Sequence, residues 1–551
     1  MAKVAAIIQL ENKFYRDRKK KACFLEELEE SKTVLEFFLR RLQGIKVLDR
    51  IIVFTSDEMS DDPIVALARK CGIEQVQRFN YDGIQEKRPS FQRHNWGQSS
   101  DTGEEYFLGN WFAKFEALKN YEHILYIVPD NLLFDVELIQ KAFKFHTENG
   151  FDYTFPDGVY KGCYFAFYTS EVIRALNRTD SLRSIRGGVT SAVIKKLYPF
   201  KHGVMREEIF RDRYYFDLCL NSFRMLEFFK KSKIYNARTY KEIKEMAHKY
   251  QEDYFSFPRI IHFEPSSHCD FSCYFCPQTV LKREKSYLSL ESYRKILTQC
   301  EPYDDLIFRF SGFGEPTQNR DLVEMLKLAA EQNIVTHLIT NGSLLSAEYV
   351  GMLVNARLKL LSISLEGHLP ELYAKFRPQM PIEKLHTHIQ NLIKIRELGP
   401  DLPNIIIQVV KFRDTDPHLL EFNEYFDQRS NNIPLQNYFP FTYRSNSVDW
   451  IMIQGYSDYL GTLPDREDID YTPFFRTPCK HQCERAMILA DAHLYLCQMD
   501  PHGARPLGDL NQETLSDLWN QAKMKLNRTK QMQGKWDEIE ICADCKDWYQ
   551  N

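Results

Sequence analysis

The placement of cysteines constrains this chain more than any other feature. Of thirteen cysteines in 551 residues, Cys23, Cys71, Cys163 and Cys219 are scattered through the first 268 positions. The other nine are Cys269, Cys273, Cys276, Cys300, Cys479, Cys483, Cys497, Cys542 and Cys545. Thiols at close spacing read as metal or catalytic ligands wherever reducing conditions prevent lasting disulfides. Such conditions are the expectation here. Val4–Leu10 is an apolar run broken by Glu11, too short for a secretory core and suited to a first strand. No stretch approaches 18 consecutive apolar residues, so no membrane span is expected and the chain is placed in the cytoplasm.

Cys269-Asp270-Phe271-Ser272-Cys273-Tyr274-Phe275-Cys276 puts three thiols within eight residues. A loop can wrap them around a soft centre, and thiolates select iron–sulfur clusters or zinc. A closed structural site needs a fourth ligand, and none lies nearby; three ligands with one open position suit a site that binds something reactive. The plainer alternatives are a zinc knuckle or an unligated loop. Farther on, 17 residues separate Cys479 from Cys497 and 44 separate Cys497 from Cys542-Ala543-Asp544-Cys545. These four thiols make a complete tetrahedral set, which spacing alone leaves open between iron–sulfur and zinc.

The rest of the chain reads as α/β. Hydrophobic residues make up 44% and charged residues 27%, which excludes disorder and collagen-like repeats. Lys+Arg is 72 against Asp+Glu 76, net −4, which argues against a protein that coats nucleic acid or an anionic membrane. Strand patterns at Val4–Leu10, Arg50–Thr55 and Ile124–Val128 alternate with helical ones at Thr33–Leu42, Asp62–Cys71, Leu108–Leu118 and Val136–His146, which predicts a parallel sheet. A polar stretch, Tyr240–Asp253, reads as a linker. Beyond it, strands at Leu306–Phe310, Thr336–Thr340, Lys359–Ser364 and Ile405–Val410, with a helix around Leu322–Ala329, suit a barrel or partial barrel of about six βα units with function at the carboxyl ends of its strands.

The C-x3-C-x2-C spacing, with Phe275 before the last cysteine, resembles the radical S-adenosylmethionine family. The resemblance implies that Cys269, Cys273 and Cys276 hold a catalytic 4Fe–4S cluster. The cluster's fourth iron would chelate S-adenosylmethionine and reductively cleave it to a 5′-deoxyadenosyl radical. Ser311-Gly312-Phe313-Gly314-Glu315-Pro316 is similar to the family's Gly-Gly-Glu element, with Gly312 and Gly314 allowing close backbone approach to a ligand and Glu315 accepting from the methionine ammonium. His337–Gly342, with Asn341, resembles the third strand end. Leu361–Gly367 resembles the fourth, placing Ser364 and Glu366 near the ribose, and Gln408 follows on the fifth strand.

Thr477-Pro478-Cys479, Leu507-Gly508-Asp509-Leu510 and Leu515-Ser516-Asp517-Leu518-Trp519 resemble the SPASM, or shorter twitch, extension. This implies a second 4Fe–4S cluster on Cys479, Cys497, Cys542 and Cys545. Cys483 is a spare that could replace Cys479, and Asp491-Ala492 stands where the family usually has Asp-Gly.

Over roughly 3–235, Thr55-Ser56-Asp57, Asp61-Asp62-Pro63-Ile64, Val128–Ile139 and Phe151–Thr154 resemble the cytidylyltransferase-like enzymes of the spore-coat and sialic-acid type. Asp130, with Asp217 as second carboxylate, would hold Mg2+ in that family. The loop Leu10–Lys21 lacks the glycine of active members, which implies a degenerate domain. Its basic residues Arg16–Lys21 would neutralise a phosphate or form a solvated charged face.

The expected architecture is therefore a Rossmann-like nucleotidyltransferase-type domain (1–240), a radical S-adenosylmethionine partial (β/α)6 barrel (255–445) and a small iron–sulfur cap (446–551). The expected function is hydrogen abstraction from a sugar or nucleotide-sugar of surface glycan synthesis, with a reductant such as flavodoxin or ferredoxin as partner. Peptide or protein modification, and a non-catalytic electron-transfer or scaffold role, are the alternatives.

Overall fold

A computed structural model describes residues 3–10, 23–79, 116–127, 129–172, 200–396, 403–419, 421–422, 441–443, 450–463 and 475–548. It divides into two compact units, Met1–Tyr254 and Phe255–Asn551. The basic run Arg16–Lys21 and most of the helix expected at Leu108–Leu118 lie outside the described residues. No described helix is long and apolar enough to cross a membrane.

In the first unit the strands are β1 (Val4–Gln9), a short hairpin β2 (Glu27–Glu29) and β3 (Lys32–Thr33), β4 (Arg50–Ser56), β5 (Gln75–Phe79), β6 (His123–Tyr126), β7 (Tyr153–Pro156), β8 (Ala166–Thr169) and β9 (His202–Met205). Its main sheet runs β5-β4-β1-β6-β8-β7-β9. The first four are parallel as the sequence predicts, but β8 is antiparallel to both β6 and β7. The connection from β7 to β8 is too short for a parallel crossover, so the chain can only turn back on itself.

Capping decides where the helices of this unit begin. Thr33 and Glu36 form a reciprocal capping box at Val34–Gln43, and Asp135 Oδ1 accepts from the Leu138 N–H at 3.0 Å to start Val136–Glu148. The other oxygen of Asp135 accepts from the Tyr240 N–H at 2.9 Å. The stretch read as a linker is instead a helix, Tyr240–Lys249, opened by a Thr239–Glu242 capping box and followed by the turn Gln251–Tyr254. Tyr240, Ile243 and Ala247 are its buried face, a helical spacing obscured by the Lys and Glu between them.

In the second unit the strands are β10 (Ile260–Phe263), β11 (Ile307–Phe310), β12 (Val335–Thr340), β13 (Leu360–Ser364), β14 (Asn404–Lys411), β15 (Phe441–Tyr443), β16 (Trp450–Gly455), β17 (Arg485–Ile488), β18 (His493–Tyr495) and β19 (Pro506–Asp509). They form one sheet in the order β15-β16-β14-β13-β12-β11-β10-β17-β18-β19. Strands β10 to β14 and β16 are parallel neighbours, the six strands of a partial barrel. Helices Leu290–Thr298, Leu322–Glu331 and Ile382–Arg396 cover the outside, where Phe263, Phe308, Phe310, Leu338 and Ile363 share a core with Tyr293, Met325 and Leu385.

The C-terminal segment is built into this sheet. β17 pairs in parallel with β10 from Ile260↔Arg485 to Phe263↔Ile488, and β18 and β19 follow antiparallel. The first barrel strand is thus flanked by β11 on one side and by the cysteine-rich segment on the other.

Because Asp135 starts one helix and anchors a second, Asp135→Ala should destabilise the first unit by about 2 kcal/mol, a lost cap plus a buried N–H left without its acceptor. Denaturant unfolding followed by circular dichroism checks this.

Candidate functional site

The three-cysteine loop leaves the carboxyl end of β10. The Cys276 N–H donates to the Cys273 carbonyl at 3.1 Å, and the Phe271 N–H points to Cys269 Sγ at 3.4 Å. Asn341, beyond β12, donates through Nδ2 to Asp270 Oδ1 at 2.8 Å and lies 3.9 Å from Cys269 Sγ. Phe275 is buried against Phe412 and Phe376, with ring centroids 5.2 and 6.1 Å away. Burial pushes the Cys269 thiol up to about 12 and raises Cys273 as well. Thiols in such surroundings are inert until a cationic centre deprotonates them, which suits a metal-cluster site.

Arg377 opposes the rise at Cys273, and sequence reasoning missed it. Its guanidinium is buried, lies 5.4 Å from the Phe275 ring centroid, and forks onto Glu366 through Nε–Oε2 and Nη2–Oε1 contacts. The carboxylate expected near a ribose therefore has both oxygens engaged by Arg377. Its observed effect is to hold a cation beside the cysteine loop.

Glu315 is also largely committed within the protein. Oε1 accepts from Thr317 N and from the Thr317 and Thr340 hydroxyls, and Oε2 accepts from the Asn341 N–H at 2.7 Å. The Glu315 N–H in turn donates to the His268 carbonyl at 2.8 Å. One residue, through its carboxylate and its backbone N–H, thus joins the ends of β11 and β12 to the start of the cysteine loop. A carboxylate oxygen has two acceptor positions, so Oε2 retains one for a ligand donor.

The two glycines are crowded within the protein itself. A Cβ on Gly314 would sit 2.2 Å from the Ser266 carbonyl oxygen, and one on Gly312 would sit 2.5 Å from Glu264 Cγ. The close approach at both positions is to the protein itself. Ser364 lies opposite Gln408 in the β13–β14 register, and Gln408 Nε2 donates to Gln454 Oε1 at 2.5 Å.

The C-terminal thiols gather as a set. The Cys479 N–H donates to Gln531 Oε1 at 3.1 Å, while Gln531 Nε2 reaches Cys542 Sγ at 3.5 Å. The charges felt by Cys497 include those of Cys479, Cys542 and Cys545. Burial pushes Cys542 and Cys545 up to about 12, and Arg476 works against the rise in Cys479, Cys542 and Cys545. Cys483 is buried at the end of the short helix Lys480–Cys483. Among the described residues, no three Cys, His, Asp or Glu side chains converge as tightly as a single metal ion requires. A cubane does not require it, because each thiolate binds a different iron.

In the first unit, Asp130 and Asp217 both act on the buried Cys219. Asp217 Oδ2 is also 3.4 Å from Lys161 Nζ, which sets an ammonium beside the carboxylate expected as the second metal ligand.

Residues 263–425 match the radical SAM superfamily model, and 479–546 match the SPASM iron–sulfur cluster-binding domain. A PqqA peptide cyclase from Rhodopseudomonas palustris is 34% identical over 114 residues, 20% of this chain and 30% of that one. The chain spans about 30% of the length of the PqqA peptide cyclases it matches. Among solved structures, Streptococcus suis SuiB bound to precursor peptide SuiA superposes with a TM-score of 0.40 at 15% identity, covering 60% of this chain and 84% of that one. A cytidylyltransferase from Leptospira borgpetersenii gives 0.34 at 18% identity, covering 46% and 97%.

The two matched domains imply two 4Fe–4S clusters and S-adenosylmethionine. Cys273→Ala should lower iron in the anaerobically reconstituted protein by about half and abolish 5′-deoxyadenosine formation, leaving the C-terminal set loaded. Iron and sulfide analysis with chromatography of the products checks both. The chain thus carries a radical S-adenosylmethionine domain over residues 263–425 and a SPASM iron–sulfur domain over residues 479–546.

Proposed function

We propose that the chain modifies a peptide by radical hydrogen abstraction. The observation that carries the reading is the 34% identity to a PqqA peptide cyclase, a protein named for a peptide substrate. The sugar or nucleotide-sugar substrate expected from the first unit has only that unit's sequence motifs behind it, and Lys161 beside Asp217 weakens the metal chemistry those motifs implied.

In this reading Cys269, Cys273 and Cys276 hold the cluster that, with S-adenosylmethionine, supplies a carbon radical able to take hydrogen from substrate. Asn341 and Glu315 fix the loops around it, Arg377 supports thiolate charge at Cys273, and the Phe275–Phe376–Phe412 stack keeps water from that side. Ser364 and Gln408 face the substrate side of the strands. Cys479, Cys497, Cys542 and Cys545 hold the second cluster, which has no open iron and acts in electron transfer or in stabilising the fold.

The test supplies the reduced holoenzyme with S-adenosylmethionine and either a deuterated peptide library or deuterated nucleotide sugars. Label should enter 5′-deoxyadenosine from the peptides. Label from the sugars alone overturns the reading.

Cys497→Ala separates the two clusters. It should keep cleavage of S-adenosylmethionine without substrate while peptide turnover falls at least tenfold. Zinc without sulfide in the wild-type C-terminal site would remove the electron-transfer role and leave the structural one. A full cluster count in Cys497→Ala would move the ligand assignment to Cys483.

A further inference from the structure

The C-terminal thiols are surrounded by hydrogen-bond donors to which the assignments above give no role. Cys479 is approached by the N–H groups of His481 and Gln482, Cys497 by the Met499 N–H at 3.4 Å, and Cys545 by the Asp547 N–H. Each of these donors lies two or three residues beyond its cysteine, so the turn after the thiol supplies it. Cys542 takes a donor from farther away, Gln531 Nε2 at 3.5 Å. The other end of that amide fixes its orientation. Its Oε1 accepts from the Cys479 N–H at 3.1 Å, so Nε2 is the atom that faces Cys542. Gln531 is fully buried on the helix Ala522–Gln533.

Arg476 is the second such group. Its Nε and Nη2 are buried and have no hydrogen-bond partner among the described residues. The guanidinium carbon lies 5.1 Å from the centroid of the Trp536 ring. An aromatic ring holds the cation by its flat face and leaves the N–H groups at its edge for an acceptor. Arg476 precedes Cys479 by three residues and Trp536 precedes Cys542 by six, so the contact joins the two segments that deliver those thiols. The charge is felt at Cys479, Cys542 and Cys545. Acids of the same region are engaged elsewhere. Glu538 pairs with Lys530, Glu540 with Arg505, and Asp547 accepts from the Ser457 hydroxyl.

Buried donors without an acceptor are costly, so the site calls for an acceptor that the protein alone does not provide. A cluster on four thiolates is such an acceptor. It carries net negative charge, and reduction adds one electron to it. Cations and N–H donors beside its sulfurs therefore stabilise the reduced state more than the oxidised one.

We propose that Arg476 and Gln531 are positioning residues of the C-terminal cluster, acting on its sulfur ligands through a charge and a hydrogen bond to raise its reduction potential. The proposal rests on the reading of Cys479, Cys497, Cys542 and Cys545 as a 4Fe–4S site. It deepens that reading by favouring electron transfer over a purely structural role.

The experiment is a redox titration of the full-length reconstituted chain, followed by electron paramagnetic resonance, with iron and sulfide counted in each sample. Cys273→Ala is the parent, so that the C-terminal set supplies the signal. At the potential that reduces half of the parent's cluster, adding Arg476→Met should lower the ratio of reduced to oxidised cluster about tenfold, and Gln531→Met about threefold. Arg476→Lys keeps the charge and should stay within about threefold of the parent. The two positions are independent, so a variant that fails to load leaves the other to decide. Unchanged ratios in fully loaded variants overturn the proposal. So does Arg476→Lys falling as far as Arg476→Met, because packing against Trp536 and not charge is then what matters. Zinc without sulfide in the parent overturns the cluster reading itself, a result that metal analysis gives before any titration.

Discussion

The second unit is organised around the Glu264 carboxylate at the end of β10. It is fully buried. Oε1 accepts from Arg283 Nη2 at 2.5 Å and from the Phe313 N–H at 3.0 Å, and Oε2 accepts from the Ala490 N–H at 3.2 Å. Burial pushes its pKa up, and Arg283 is the strongest influence in the other direction. Three donors from three segments therefore meet at one charge in a medium of low dielectric, where each bond is stronger and each omission more costly than in water. Phe313 lies in the glycine-rich loop after β11, and Ala490 in the turn after β17. The loop that shapes the first cysteine site and the turn that leads toward Cys497 are thus held to the same atom pair. Arg283 extends the tie by donating to the Pro501 carbonyl at 2.9 Å.

This arrangement also requires glycine at both positions, whatever a ligand requires. At Gly312 the space beside the backbone is filled by the Glu264 side chain, and at Gly314 by the carbonyls of Ser266 and His268. A methyl at either position displaces the buried carboxylate or the backbone that opens the cysteine loop. The motif is a packing solution for bringing the ends of β10 and β11 close together, and the ligand-facing geometry follows from it.

Residues whose chemistry needs particular atoms were legible in the sequence. The cysteines, the glycine-rich element and the βα alternation announce themselves by residue type and local spacing. What escaped were groups defined by partners far away in the chain. Glu264, Arg377 and Gln531 are ordinary residue types whose meaning comes from Ala490, Glu366 and the pair Cys479 and Cys542. Tyr240–Lys249 was lost for a different reason, because its Lys and Glu content outweighed a three-residue apolar face anchored on Asp135. The departure at Asp491-Ala492 is resolved by strain. Ala492 adopts φ +63°, the left-handed conformation in which glycine is usual, at a cost of about 1 kcal/mol. Asp491 holds the turn by accepting from the His493 N–H at 3.1 Å and from the Tyr495 hydroxyl at 2.6 Å.

Backbone strain also marks the protein between the two thiol sets. Tyr459 and Leu460 are successive non-glycine residues at φ +50° and +57°, each costing about 1–2 kcal/mol relative to a right-handed conformation. Such a pair persists only where its surroundings over-determine it. Here the Ser457 hydroxyl donates to Asp547 Oδ2 at 2.7 Å while its oxygen accepts from the Tyr459 N–H at 3.1 Å. Asp547 follows Cys545 by two residues, and burial raises its carboxyl to about 7. The Tyr459 ring meets Phe313 edge-on at 5.8 Å, and the charges acting on its phenol include Cys276, Asp547 and Cys273. The strained turn thus places one aromatic side chain under the influence of Cys273, Cys276 and Asp547 and against the glycine-rich loop. Glu264 reaches that same loop from the opposite side through the Phe313 N–H. Phe313 is therefore the residue at which the ionic tie and the strained turn meet.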